Sequence, residues 1–421
     1  MPSPLKPILL PKWVHWTKTF QETALINRGT LDALGYALPM VIFTRNALER
    51  KEKIVDRTVT LSSAFLLAPL HALLFYNLFS RGLASKKLMH LPYKALTSNR
   101  AFHAGLKELQ KTLLQDSRGK LNWAIPKGLL GNNQAVTRIR HKLINNKTHM
   151  LMWDTITEAL IFTNIGFINN WVSRKTTGKN RFVGEIGVAS DKQLDALHQA
   201  KGNGEMTKQD EINRHIINSI IAVAVPSAIA LGLKNALRNP KKSTLVLNTL
   251  RKVAPSFDYK KGIYLGIGSL VVIIGMQMLG YITAARSKYE LMERTLQESL
   301  ANYLFFLGEP TWALLLGRAL FSKAQRPMIH SIKSCMNHLS SKGAPPSQIN
   351  RLASRAAGFY WFSFALTTAT LATMLWGKNK LTTRKIQRDL ATLKNQTSPN
   401  PYTPQTGHPK TLYPPITQRI T

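Results

Sequence analysis

The sequence predicts an all-α, polytopic integral membrane protein, and three observations carry that prediction. Long stretches contain no charged residue. Apolar positions recur with helical spacing and nowhere sustain the alternation of a strand. A net charge of +36, from 57 Lys+Arg against 21 Asp+Glu, collects in the segments between the apolar ones. The longest uncharged stretch, 262–285, runs 24 residues between Lys261 and Arg286. At about 1.5 Å of rise per residue it would reach roughly 36 Å, enough to cross a hydrocarbon core of about 30 Å. Gly266, Gly268, Gly275 and Gly280 within it are small positions that let a neighbouring helix approach closely. The competing reading is a buried core helix of a large soluble protein. Four segments read as spans (58–80, 216–233, 262–285 and 356–377), and 29–44, 149–171 and 302–321 are three further candidates.

Taken in order, residues 1–57 form a basic N-terminal region. Trp13, Trp16 and Phe20 fall on one helix face beside lysines, the pattern of an interfacial helix anchored by Trp13 and Trp16. The candidate span 29–44 contains Asp32 and Pro39. In 45–57, Arg45–Glu49 and Glu49–Lys53 are opposite-charge pairs at i,i+4, which predicts a solvated helical connector. Span 58–80 carries Pro69 near its centre, and a proline there removes one backbone hydrogen bond and predicts a kink.

Residues 81–148 are expected to form a basic, helical, cytoplasmic loop. The stretch 81–149 holds 14 Lys/Arg against Glu108 and Asp116, with helical patterning around 101–115 and Lys86 and Lys87 as lipid-surface anchors. The helical region 149–235 places Asp154 and Glu158 inside an apolar pattern, shows a capping box at Ser190 and Gln193, and contains a span, 216–233, with Pro226 inside. Region 236–377 supplies the spans 262–285 and 356–377 and the candidate 302–321, which contains Glu309, Pro310 and Arg318. Arg286, Glu290, Arg294 and Glu298 alternate in sign at i,i+4 and read as a second solvated connector. Residues 378–421 form a basic, proline-rich tail, read as disordered from Asn395 onward.

Two segments resemble each other. Arg45 to Pro69 and Arg286 to Pro310 have equal length, and both begin Arg-x-x-x-Glu. Both place phenylalanine four residues before the proline (Phe65, Phe306), and both continue x-aromatic-Ala-Leu-Leu through His71 and Trp312. The spacing predicts an internal repeat. With seven spans and a cytoplasmic N-terminus, the loops 81–148, 234–261 and 322–355 carry the excess of positive charge inside, and the two copies run in the same direction. The tail after Gly377, with eight Lys/Arg and one acid, falls on the other side and resists this scheme.

Ionisable residues inside apolar segments are expensive in lipid and often mark a pathway or relay. Glu309, His71, Asp154 and Glu158 are the candidates. No catalytic constellation, cofactor site or metal site is predicted. His330, Cys335 and His338 lack a second ligand pair, Gly202 and Gly204 lack a nucleotide-binding context, and a lone Cys335 permits no internal disulfide. The expected function is non-enzymatic: a small-solute or ion conduit, or a membrane-organising scaffold. The alternatives are an enzyme acting on anionic lipid, with catalytic groups near Asp154 and Glu158, and a membrane-tethered nucleic-acid binder stacking bases on Tyr93, Phe102 or Trp123. Charge spread over nearly every loop favours anionic lipid as the partner over nucleic acid. The expected location is a membrane of the bacterial inner (cytoplasmic) type.

Overall fold

The structure, a computed structural model, describes residues 10–83, 85–116, 133–178, 181–200, 207–259, 265–323 and 331–397. Side-chain caps open many of its helices. Asn46, Thr207, Thr244, Ser287 and Ser331 each accept the backbone N–H three residues on, satisfying a donor the helix leaves free. The predicted capping box also forms: Ser190 N–H donates to Gln193 Oε1 at 3.0 Å, and Gln193 N–H returns to Ser190 Oγ.

The chain begins with α1 (Lys12–Glu22). Next, α2 starts as Ala24–Leu31 and continues through a π-helical stretch, Asp32–Ala37, into Leu38–Ile42. Then come α3 (Ala47–Phe79), α4 (Asn99–Asp116), α5 (Asn133–Thr177), α6 (Asp191–Ala200), α7 (Lys208–Arg238) and α8 (Leu245–Val253). The second half supplies α9 (Ile267–Thr283), α10 (Lys288–Leu320), α11 (Ile332–Ser341) and α12 (Pro346–Thr397). Among the described residues there is no strand, only an isolated bridge between Ile186 and Ala189. The fold is all-α.

Packing centres on two long helices. Helix α5 packs against α3, α7 and α9, while α12 packs against α10 and the π-helical stretch of α2. The α5–α9 crossing depends on Gly280: a Cβ there would stand 2.2 Å from the Thr163 carbonyl oxygen. Of the small positions expected in 262–285, Gly280 thus seats a neighbouring helix backbone, whereas a Cβ at Gly275 would meet nothing within 4 Å. The helix itself is shorter than that uncharged run, 17 residues, and 260–264 lie outside the described residues. Among the described residues, two helices are long and apolar enough to cross a membrane, Ala47–Phe79 and Lys208–Arg238. The candidates 149–171 and 302–321 and the expected span 356–377 lie within the longer helices α5, α10 and α12.

On α3 and α7 many apolar side chains face outward, while a set of charges lies inside. Only 11% of the most apolar window of α3 and 28% of that of α7 is buried, and Leu66, Leu70, Leu74, Ile220 and Val271 are each more than 60% exposed. The two connectors read as solvated are instead interior. Glu49, Glu52, Asp56, Arg57, Arg286, Glu290, Arg294 and Glu298 are all buried. Their i,i+4 spacing is what an exposed helix would show, but here the partners are shared between helices. Tyr93 and Phe102, proposed as base-stacking groups, are completely buried with Leu106 and Leu143 in a core between the basic region and α5, which removes them from any nucleic-acid surface. Trp123 lies outside the described residues.

The prolines behave differently in the two halves. Pro39 and Pro69 each follow or sit within the end of a π-helical turn (Asp32–Ala37 and Ser63–Leu67), a local rewinding that absorbs the missing donor. Pro226 and Pro310 lie inside helices α7 and α10. Helix α12 runs to Thr397, two residues past Asn395, and the rest of the tail is outside the described residues, as is the turn predicted at 201–204.

Candidate functional site

The site is built from equivalent positions in the two halves. Arg45 precedes the cap of α3, and Arg286 precedes the cap of α10. Each turns back onto the carboxylate four residues ahead. Arg45 donates from N, Nε and Nη2 to Glu49 at 2.7, 3.1 and 2.7 Å, and Arg286 does the same to Glu290 at 2.6, 3.0 and 2.7 Å. Each guanidinium then crosses to the other helix. Arg45 Nη2 lies 2.9 Å from Glu293 Oε2, and Arg286 Nη2 lies 3.0 Å from Glu52 Oε1. Glu52 and Glu293 stand at the same place in the two copies, so the exchange is reciprocal.

The next helices repeat the relation. Asn170 on α5 donates to the carbonyl of Ala284, the cap residue ending α9, at 2.7 Å. Asn379 on α12 donates to the carbonyl of Phe43, the cap residue ending α2, at 2.6 Å. Helices α2, α3 and α5 therefore correspond to α9, α10 and α12, with the first helix of each set packed on the third helix of the other.

Outside the segments 58–80, 302–321 and 356–377, this layer holds its charges by pairing. Lys378 Nζ donates to Glu293 Oε1 at 2.8 Å. Burial raises the Glu293 carboxyl, but Lys378, Arg45 and Lys53 more than reverse this and hold it far below the usual carboxylate range. Burial lowers the Lys378 ammonium to about 8, against the pull of Glu293. Burial likewise works against the Arg286 guanidinium, and Glu290 and Glu52 overcome it to keep the group charged.

One turn further along, the network reaches a cavity. Arg57 donates to Asp56 Oδ2 through Nε and Nη2 at 3.1 and 2.8 Å, and Asp56 Oδ1 also accepts from Asn169 and Tyr281. The Arg57 guanidinium lies 4.6 Å from the centre of the Tyr36 ring. Tyr36 donates to Glu298 at 3.2 Å, and Gln277 does so at 3.2 Å. Below lies a cavity of about 260 Å³ walled by both sets of helices. Its lining pairs off across the same equivalence: Tyr36 with Gln277, Arg57 with Glu298, Ala64 with Phe305, Phe65 with Phe306, and Phe162 with Leu371.

Of the four ionisable candidates, three meet at the edge of this cavity. His71 Nδ1 lies 2.6 Å from Asp154 Oδ1, and Nε2 lies 2.7 Å from Glu158 Oε1, the second contact close but not aligned as a hydrogen bond. Tyr259 donates to Asp154 Oδ2 at 2.6 Å. Glu158 is buried, lines the cavity, and has neither carboxylate oxygen in an aligned hydrogen bond. Glu309 stands apart from the lining, partly buried and in the field of Arg28, with Oε1 lacking a partner. Its counterpart by spacing, Ala68, does line the cavity.

Sequence reasoning passed over Asp56, Arg57, Tyr36, Gln277 and Glu298 as site residues. The available signal was the concentration of scarce acids at matching positions of the two copies. Of the expected lipid anchors, Trp13, Trp16, Lys86 and Lys87 are all exposed, and Trp16 is stacked on Trp361. Cys335 is buried beside Leu339 and Ile349, while His330 falls outside the described residues. No protein-family model, no curated protein and no solved structure matches this chain.

Proposed function

We propose that this chain is an integral protein of a bacterial inner-type membrane whose two duplicated halves enclose a binding cavity for a small solute, and that it serves as a conduit for that solute. The observation that carries this reading is the cavity itself, lined by matching residues of both halves, with charges converging on it and apolar side chains facing out. A protein folding in water hides apolar surface, because its hydration is costly. A surface of exposed leucine and isoleucine around an ionic interior suits lipid instead. Burying ions is costly unless they are paired, and the reciprocal arginine–glutamate exchange provides that pairing. Solute sites at the interface of internal repeats are a recurrent design in membrane carriers.

The other readings fit less well. A lipid-directed enzyme using Asp154 and Glu158 would need an activated nucleophile, but His71 directs both ring nitrogens at carboxylates and leaves none for a hydroxyl. The nucleic-acid reading loses two of its stacking groups, Tyr93 and Phe102, to the core. A pure scaffold has no use for a cavity at its centre. Anionic lipid remains the proposed partner of the basic loops, with Trp13, Trp16, Lys86 and Lys87 at headgroup depth.

The test is access. In a Cys335→Ser background, Ala301→Cys places a single thiol on the cavity wall. In sealed vesicles, a small membrane-impermeant thiol reagent should label it when applied from either side. A protein that stays in the membrane through carbonate extraction but is labelled from neither side would overturn the conduit reading. Recovery in the carbonate supernatant would overturn membrane integration itself.

A further inference from the structure

Resting on that reading, we infer that the cavity takes a small organic cation, and that the cation binds in exchange for a proton held between His71 and Glu158. The charge balance of the lining favours a cation. Arg57 is committed to Asp56, and Arg28 donates to the Phe305 carbonyl and faces Glu309. Glu298 is held by the neutral donors Tyr36, Gln297 and Gln277. Asp32 and Glu158 remain. Asp32 Oδ2 is buried without a partner, and Asp32 Oδ1 lies 3.9 Å from Arg57 Nη1. Among the described residues, Glu158 forms its close contact with a cation-capable group at His71, which it shares with Asp154, and both its oxygens are buried without an aligned donor. The remaining wall is apolar and aromatic, with Phe65 and Phe162 available to face a cation over their rings, while Arg28 already lies over the Phe305 ring. A cavity of about 260 Å³ suits an alkyl or aromatic amine more than a peptide or a lipid.

The exchange follows from the geometry at His71. The ionisable groups facing Glu158 are His71 and Arg57 from α3, Asp154 on its own helix, Arg28 and Asp32 from α2, Glu298 from α10, and Tyr259 through Asp154. As imidazolium, His71 presents an N–H to each carboxylate. When an organic cation approaches Glu158, the imidazolium loses its role there. The Nε2–H bond breaks, its electron pair stays on Nε2, and the proton leaves to solvent, while Nδ1–H stays on Asp154. One positive charge enters and one leaves, so the charge of the buried site is unchanged. The second half cannot do this: Trp312 stands where the first has His71.

The probe is phenyltrimethylammonium, whose charge is permanent, so any proton released comes from the protein. Calorimetric titration of the purified full chain in detergent at pH 7, in two buffers of different ionisation enthalpy, counts protons. We expect binding with release of about one proton per cation. Glu158→Gln should weaken binding about tenfold or more and abolish the release, and Asp32→Asn should weaken binding by a similar factor while keeping it. Benzoate, of similar size, should not bind. Tighter binding of benzoate than of the cation, or cation binding without proton release, would overturn the proposal. So would full binding and release in Glu158→Gln, provided that variant elutes as a single species with an unchanged thermal midpoint. If the Ala301→Cys thiol is reachable from both sides yet the cation does not bind, the exchange fails and the conduit stands; if it is reachable from neither, both fall.

Discussion

Replacing Arg286 with methionine tests whether the reciprocal ion pairs hold the two halves together. The guanidinium side chain is wholly buried and serves two carboxylates, Glu290 on its own helix and Glu52 on the other. Its removal leaves Glu52 near Arg294 at 3.7 Å and Glu290 near Arg294 at 2.6 Å, so one cation then has to serve both. Breaking a buried pair from one side typically costs about 3–5 kcal/mol, chiefly because the stranded charge stays buried. Arg45→Met should behave in the same way but more mildly, because that side chain is 12% exposed and Glu293 keeps Lys378. Unfolding by denaturant in detergent micelles, followed by tryptophan fluorescence, gives both losses. The double-mutant cycle with Glu52→Gln isolates the crossing pair, where direct contacts couple by about 0.5–3 kcal/mol. A loss below about 1 kcal/mol for Arg286→Met, or an Arg286–Glu52 coupling indistinguishable from zero, would refute the reasoning.

Four further expectations can be measured on the same protein. Glu293 has a folded pKa far below its unfolded value, so its contribution is present above about pH 4.5 and lost as pH falls; Glu293→Gln should flatten the acid limb of a stability–pH profile. Lys378 gives a slope of the same sign at higher pH: burial lowers its folded pKa to about 8. Between there and about 10.4 the unfolded chain binds more protons, so wild type should gain stability with rising pH relative to Lys378→Met. Gly280→Val would drive a side chain into the Thr163 carbonyl and should cost more than the usual 1–3 kcal/mol of overpacking, read as a large fall in thermal midpoint or loss of the folded species. Asn170→Ala and Asn379→Ala should each cost about 1–3 kcal/mol and do so equally, since each leaves an equivalent helix-end carbonyl without its donor; unequal losses would argue against the correspondence of α5 and α12.

Local chemistry made much of the fold legible. The uncharged runs and helical spacing of 58–80 and 216–233 announce α3 and α7, the Ser190 and Gln193 pair announces the start of α6, and the matched Arg, Glu, Phe and Pro positions announce two helices with the same opening. His71, Asp154 and Glu158 stood out because ions in apolar sequence are expensive wherever they are placed. That much depends on neighbours within a few turns of the same helix.

The site needed the tertiary structure. An i,i+4 pair such as Arg45 and Glu49 has the same spacing on an exposed helix as in an interior, so the sequence pointed to water where the fold put Glu293. Whether Glu309 or Glu158 faces a cavity depends on which helix lies opposite, and α10 turns Phe305 and Phe306 inward while α5 turns Glu158. Burial of Tyr93 and Phe102 was equally hidden, because an aromatic among lysines looks the same on a surface as over a core. Composition and spacing determined an all-helical chain with an apolar exterior and a repeated opening motif. Only long-range packing decided which charges face each other, since that depends on residues hundreds of positions apart being brought within 3 Å, as Arg286 and Glu52 are.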